Sequence, residues 1–212
     1  MRKEKLAFYF LAALLAGCVP VVSLHPLFTK DEIVFDEKII GAWVEDPNSP
    51  EAAWEFSRLD ETAAQGLLES WKEEITRFYR LTITDKEGHK GSFAACLVKL
   101  GEHRFLDVFA DRFPSGEEDL EKEKLLYNTL FFLPVHTFLK VDFAGERLVL
   151  RRTDDDRFEE LIQADADAVK HEIIDDRPIL TASTKDLQAF VAKYAGDERL
   201  FSNDMTLSRK AK

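Results

Sequence analysis

The side chains of this sequence best suited to nucleophilic, redox or metal chemistry are two cysteines and five histidines. One cysteine, Cys96, lies in the apolar run Phe93-Ala94-Ala95-Cys96-Leu97-Val98. A catalytic thiolate needs a histidine or a cationic environment that lowers its pKa, and this run supplies neither. We therefore expect Cys96 to be a buried core residue.

The histidines are His25, His89, His103, His136 and His171. They lack the His-x-x-x-His spacing that places two metal ligands on one helix face, so no helix-borne metal site is predicted. His136 stands between Val135 and Thr137 in a strand-like segment. We expect it to be a hydrogen-bonded residue at a rim or surface. It is also the first candidate for acid–base catalysis, if carboxylates converge on it.

Two acidic clusters, Asp154-Asp155-Asp156 and Asp165-Ala166-Asp167, raise the possibility of calcium binding. An EF-hand loop needs glycine at its sixth position and glutamate at its twelfth, and neither cluster supplies them. Helix capping and solvated charge explain these residues better. The motifs Gly-x-Ser-x-Gly and Gly-x-Gly-x-x-Gly and a P-loop are absent from the sequence. The sequence predicts no metal, no cofactor and no enzymatic activity.

The first 17 residues have the layout of an export signal, with three basic residues followed by an apolar run from Leu6 to Ala16. A bilayer core of ~30 Å needs a helix of ~20 apolar residues, so this run is too short to span it. It is typical of a cleavable signal peptide. The residues around its end, Leu15-Ala16-Gly17-Cys18, resemble at all four positions the lipobox of bacterial lipoproteins.

The lipobox resemblance implies that Cys18 carries diacylglycerol and fatty acyl groups such as palmitate, and that the mature chain begins there. The alternative is that Cys18 is the last residue of an ordinary secretory signal. By resemblance to enterobacterial sorting, where Asp after the cysteine retains a lipoprotein at the inner membrane, Val19 favours the outer membrane, facing the periplasm. With Cys18 acylated, Cys96 has no partner for an intrachain disulfide.

Composition favours a globular body with a core, since 45% of residues are hydrophobic and 33% are charged. The formal net charge of −11 would become −13 without the leader, which carries three basic residues and Glu4. The lysines and arginines are scattered among acidic residues, whereas phosphate contacts need them clustered. Nucleic-acid binding is therefore not expected.

Short runs of β-branched and aromatic residues, separated by turn signals, begin at Ile39. These predict seven main strands near residues 39–44, 53–56, 77–84, 91–100, 104–109, 135–143 and 147–152, and a weaker pair at 171–174 and 178–182. Helices are predicted at 117–132, at 154–162 after Thr153 as N-cap, and at 185–195; residues 59–74 form a long excursion or a short helix. Antiparallel strands must hide their edges. The sequence thus predicts a mainly β fold, an antiparallel meander in a closed or partly closed barrel, with two or three helices packed outside.

This pattern divides the chain into a signal peptide at 1–17, a lipidated tether at 18–38, a single β-rich domain at 39–201 and a frayed tail at 202–212. Within the tether, Leu24, Leu27 and Phe28 are apolar enough to dock on a surface. We expect them to form a strap over one end of the core or, alternatively, to bind a partner.

At the head of the first strand, Gly41-Ala42-Trp43 resembles the Gly-x-Trp signature of the lipocalin and wider calycin barrels. The resemblance implies that the glycine bends the chain near the barrel floor and that the indole plugs this end. It also implies that a late arginine stacks on the indole, for which Arg151 or Arg152 is expected. The alternative is that Trp43 is an ordinary core residue.

These observations favour a lipid-anchored, non-catalytic binding module that holds a small apolar ligand or a lipid in a barrel. The alternative is an interaction protein that docks on an envelope partner through the strap or the last helix. An enzyme, using His136 and nearby carboxylates, is the third hypothesis.

Overall fold

The computed structural model describes residues 21–59, 71, 73–110, 133–175 and 177–211. Twelve strands lie within these ranges: β1 Val22–Ser23, β2 Ile33–Val34, β3 Gly41–Val44, β4 Ala53–Arg58, β5 Phe78–Thr84, β6 Lys90–Leu100, β7 His103–Ala110, β8 His136–Ala144, β9 Arg147–Arg152, β10 His171–Ile174, β11 Arg177–Leu180 and β12 Asn203–Arg209. The same ranges hold two α-helices, α1 Asp155–Ala164 and α2 Thr184–Tyr194, and two 3₁₀ turns, Glu37–Ile39 and Ile75–Arg77.

Eight of the strands close into an antiparallel barrel. Strands β3 to β9 pair with one another in chain order, and β12 pairs with both β9 and β3. Each barrel strand thereby gains a partner on both sides, and closure removes the exposed edges that an open meander would leave. The predicted mainly β, antiparallel and closed barrel is confirmed, with α1 and α2 packed on its outside.

The eighth barrel strand corrects the prediction of a frayed tail. Residues 203–209 run antiparallel to β9, with Leu207 opposite Leu148, and then to β3, with Arg209 opposite Trp43. Leu207 is fully buried. The tail is therefore the strand that closes the barrel.

The barrel interior is formed by alternate residues of each strand, as the two-residue repeat of a β-strand requires. These side chains form one cluster, which includes Trp43, Phe56, Tyr79, Leu81, Leu97, Leu106, Leu148 and Leu207, all at most 1% exposed. Aromatic rings and branched aliphatic side chains thus fill this part of the barrel as a packed core.

A second cluster lies on the outer face of the barrel. Phe78, Phe105 and Phe138 point outward there and are covered by both helices and by the chain that precedes β2. In that chain Leu27 and Phe28 are 0% and 2% exposed. The tether thus packs as a strap over one side of the barrel.

Side-chain caps define the N-terminal ends of both helices. The Asp154 side chain accepts from the Arg157 N–H at the start of α1, so the N-cap is Asp154 and not Thr153. Ser183 caps α2 by accepting from the Asp186 N–H. The helix predicted at 117–132 and most of the 59–74 segment lie outside the described residues. Neither described helix is both long and apolar enough to cross a bilayer.

Outside the barrel, β10 and β11 form the predicted hairpin, in which Ile174 pairs with Arg177. Strand β11 pairs in parallel with β1, whose Ser23 meets His136 at the start of β8. The hairpin and the strap are thereby joined to the barrel in one sheet.

Candidate functional site

One end of the barrel is closed around Trp43. The Trp43 indole N–H donates to the carbonyl of Ile39, 2.8 Å away, in the 3₁₀ turn that precedes β3. Gly41 between them has φ +124°, a backbone conformation that side chains with a Cβ rarely adopt. The glycine lets the turn fold under the barrel, and the indole fills this end.

Arg209 covers the same end from outside. Its guanidinium carbon lies 3.9 Å from the centre of the Trp43 ring, and its nitrogens donate to the carbonyls of Lys38 and Ile40. A Cβ on Gly41 would collide with this guanidinium. Glycine, indole and arginine thus form one unit, which we call the floor.

The expectation that Arg151 or Arg152 supplies the stacked arginine is wrong. Arg151 lies on the outer surface and pairs with Asp142 and Asp204. Arg152 ends β9 at the opposite end of the barrel, where it pairs with Asn203 in the backbone register. The late arginine comes from β12 instead, because β12 is the strand that lies beside β3.

Among the described residues, the opposite end of the barrel, which we call the open end, is less tightly packed. Its inward-facing apolar side chains belong to the interior cluster but are only partly buried: Trp54, Ile83, Phe93 and Met205. Trp54 pairs across the strands with both Trp43 and Ile83 and so lies beside the tryptophan of the floor. These apolar surfaces can be covered by a ligand.

Arg152 lies at the open end of β9. It follows the buried Leu148 and Leu150 on the side of the strand that faces the barrel interior. Its side chain is partly exposed. Within the part of the chain that the structure describes, its guanidinium has no hydrogen-bond or ion-pair partner. Among the described residues, the open end therefore combines apolar surface with an arginine side chain that is available for a ligand.

A small cavity lies outside the barrel, between its wall and the two helices. Its volume is about 20 Å³, and it is lined mostly by apolar side chains, among them Phe138, Phe158 and Phe190. A water molecule needs at least ~10–15 Å³ measured in this way, so the space holds one water at most. It cannot hold a lipid or another organic ligand.

His136 does meet a carboxylate, as the enzyme hypothesis required. Its Nδ1 lies 2.7 Å from Oδ1 of Asp107, and the other oxygen, Oδ2, accepts from the Leu27 N–H at 2.7 Å. Asp107 is fully buried, and the His136 side chain is 12% exposed. These three residues join β7, β8 and the strap, and we call them the strap joint.

The chemistry of the strap joint favours a structural role. Burial raises the pKa of Asp107, and the hydrogen bond and charge of His136 only partly oppose this. Burial also raises the pKa of the neighbouring Cys96 thiol well above its ordinary value, so this cysteine is an inert core residue. The nearby Ser23 hydroxyl donates to the His25 carbonyl rather than to His136. The described residues thus provide an aspartate–histidine pair without an activated nucleophile.

Another titratable cluster, in the β5–β6 turn, consists of Asp85, Glu87 and His89. The Asp85 carboxylate already accepts from the backbone N–H groups of Glu87 and His89 and from the His89 ring. Burial opposes ionisation of Asp85, but these hydrogen bonds lower its pKa overall. The cluster is therefore explained by the turn that it forms.

The acidic runs have equally local roles. Asp154 caps α1, with Asp155 and Asp156 in its first turn, and Asp165 accepts from the Asp167 N–H beyond its end. Of the other histidines, His25 is exposed and His171 bonds the Val169 carbonyl. Cys18 and the rest of the lipobox lie outside the described residues.

Sequence reasoning missed Arg209 and the partner of His136. The alternation of Met205 and Leu207 with polar residues is a short strand signal for the segment that carries Arg209. Asp107 shares one strand face with Phe105 and Phe109. Because that face is apolar, the pattern indicates that the Asp107 carboxylate is buried.

The fold and site together define an eight-stranded antiparallel barrel with a floor and an apolar open end. No family model, no curated protein and no solved structure matches this chain.

Proposed function

We propose that the protein is a lipid-anchored, non-catalytic binding protein of the bacterial envelope, held at the outer membrane by Cys18 and facing the periplasm. Its open end binds the apolar part of a small molecule or lipid. The observation that carries this proposal is the set of inward-facing, partly exposed apolar side chains at that end, among them Trp54 and Phe93. Resemblance to lipoproteins at the lipobox supports the anchor.

The depth of the binding region is limited by the packing beneath it. Trp43, Phe56 and Leu81 are at most 1% exposed and occupy the interior next to the floor. An apolar chain would therefore lie across the open end, against Trp54 and Phe93, and would not enter the full length of the barrel.

Arg152 indicates the chemistry of the ligand's polar end. A guanidinium beside apolar surface suits a carboxylate or phosphate attached to a hydrocarbon chain, because charged hydrogen bonds are stronger than neutral ones. We therefore propose that the ligand is an anionic amphiphile.

This proposal is tested by equilibrium titration of the full chain, made with Cys18→Ser so that it needs no detergent, with a long-chain carboxylate. Arg152→Met should weaken carboxylate binding about tenfold, which is the loss of one charge-assisted hydrogen bond, and leave binding of the alcohol of equal chain length unchanged. The matched control is Arg147→Met, because Arg147 is exposed at the other end of the same strand. Absence of saturable binding by the wild-type barrel would refute the proposal.

The anchor is tested separately in cells. Cys18→Ser should release the protein from membranes and abolish palmitate labelling, because the modified thiol is lost. A labelled, membrane-bound Cys18→Ser protein would contradict the anchor without affecting the ligand titration.

The alternative function, docking on an envelope protein, was expected to use the strap or the last helix. Leu27 and Phe28 of the strap are buried against the barrel, as are Leu187 and Phe190 of α2. A partner would therefore need other surfaces. Crosslinking in intact cells through a photoreactive residue at Leu24, which is 37% exposed, distinguishes this alternative by recovery of one defined partner.

A further inference from the structure

The β10–β11 hairpin ends in two exposed isoleucines. Ile173 and Ile174 are 55% and 54% exposed, and Asp175 makes the turn with φ +50°. Within the described residues, β10 pairs only with β11, so it forms an outer edge of the sheet. Because successive strand residues point to opposite faces, this end of β10 exposes an apolar side chain on each face, and exposed apolar surface marks interaction sites.

The direction of the neighbouring strand sets the side from which the chain enters this part of the sheet. Strand β1 runs parallel to β11, with Val22 beside Ile179 and Ser23 beside Leu180. In a parallel pair, the chain that precedes Val22 enters from the side on which β11 begins. That side is the hairpin turn.

The length of chain limits how far Cys18 can lie from Val21, the first described residue. Val21 is the third residue after Cys18, a reach of at most about 10 Å. Ile179 is the fourth residue after Asp175, which is about 13 Å along a strand. A lipid on Cys18 would therefore hold the membrane surface close to the hairpin turn.

We infer that the tip of the β10–β11 hairpin is a second membrane contact, in which Ile173 and Ile174 enter the interface of the bilayer that holds the Cys18 lipid. This inference rests on the proposed lipid anchor. The hairpin tip suits a zwitterionic phospholipid bilayer better than an anionic one. Glu172 and Asp175 flank the isoleucines and the whole chain is strongly acidic, so anionic lipid would repel it. The barrel is then held by two points and has a defined orientation on the membrane.

The test places an environment-sensitive fluorophore at Ile174→Cys in the full-length lipidated protein, reconstituted into phosphatidylethanolamine–phosphatidylcholine vesicles. Cys96 is fully buried and Cys18 is acylated, so the label reports position 174. The matched control is Leu133→Cys, an exposed apolar position at 67% that precedes β8. Because β1 runs from the anchor toward the start of β8, Leu133 lies on the side away from the membrane.

The probe at 174 should shift to the blue and lose more than half of its emission to spin-labelled lipid, while the probe at 133 stays in water. Replacing part of the zwitterionic lipid with anionic lipid should reduce the quenching at 174. Equal, weak quenching at both positions in protein whose mass shows the lipid on Cys18 would overturn the inference and leave the anchor intact. A mass without the lipid would overturn both. A probe at 174 that is shielded in envelope fractions but not in vesicles would assign the tip to a protein partner and refute the membrane contact.

Discussion

The guanidinium of Arg209 stacks on the indole of Trp43 across a chain separation of 166 residues, its carbon 3.9 Å from the ring centre. The same group donates to two carbonyls of the chain that leads into β3. The Arg209 side chain of the last strand thus holds the start of the first barrel strand, β3, in place.

Replacement of this arginine should weaken the floor. Arg209→Met keeps an aliphatic side chain but loses the cation–π contact and both hydrogen bonds, so we expect a loss of about 1–2 kcal/mol, since Arg209 is exposed. Urea unfolding measures this loss. The control Arg151→Met, which breaks only surface ion pairs, should cost less than about 1 kcal/mol. Equal costs for both variants would contradict the floor.

Gly41 should tolerate no side chain. Gly41→Ala adds a Cβ that must displace the Arg209 guanidinium, at a positive φ, and we expect a loss of about 2–4 kcal/mol in unfolding free energy. Gly88→Ala is the matched control, because Gly88 also has a positive φ but a Cβ there meets nothing within 4 Å. The cost of Gly41→Ala should shrink in the Arg209→Met background. An unchanged cost would show that the two residues do not interact.

Removal of β12 should destroy cooperative folding. A chain that ends at Ser202 leaves β3 and β9 with unpaired edges and loses the buried Leu207. We expect it to lack a cooperative thermal transition by circular dichroism, whereas a chain that ends at Lys210 should unfold like the wild type. A cooperative transition in the shorter chain would restore the prediction of a frayed tail.

Asp107 should make stability depend on pH. Because burial raises its pKa above the ordinary 3.8, the folded protein holds this proton at a higher pH than the unfolded chain does. Its contribution to the unfolding free energy is fully present below the ordinary pKa and is lost as pH rises through the raised value. The difference between wild type and Asp107→Asn should therefore fall with rising pH over that window. Urea unfolding of wild type and Asp107→Asn at several pH values measures this difference in unfolding free energy. The control repeats the series with His136→Gln in both proteins. A difference that rises with pH would contradict the raised pKa of Asp107.

Loss of the Asp107 carboxylate, which accepts the hydrogen bond from the Leu27 N–H, should release the strap. Asp107→Ala leaves the buried Leu27 N–H without a partner, which costs about 1–3 kcal/mol, whereas Asp107→Asn keeps an oxygen for it. Hydrogen exchange at Leu27 should be faster in the alanine variant than in the asparagine variant. Equal exchange rates would show that the strap is held by other contacts.

The sequence predicted the elements whose signals are local. Asp85 and Gly88 define the β5–β6 turn between two predicted strands, since the carboxylate binds nearby backbone N–H groups and Gly88 has φ +85°. Seven barrel strands were found in the same way.

What was missed depends on contacts between distant parts of the chain. Residues 203–209 are mostly polar, and their partners lie in β9 and β3, so no neighbouring hairpin marks them as a strand. His136 and Asp107 are separated by 29 residues. Their meeting follows from the register of β7 against β8, which no local pattern determines.

The central claim, that the open end binds an anionic amphiphile, is tested most directly by fluorescence quenching with a long-chain carboxylate that is brominated along its chain. Bromine quenches a tryptophan only at contact. Of the three tryptophans, Trp54 lies at the open end, while Trp43 beside it is buried. We expect saturable quenching of the wild type and loss of most of that quenching in Trp54→Phe. Undiminished quenching in Trp54→Phe, or none in the wild type, would contradict binding at the open end.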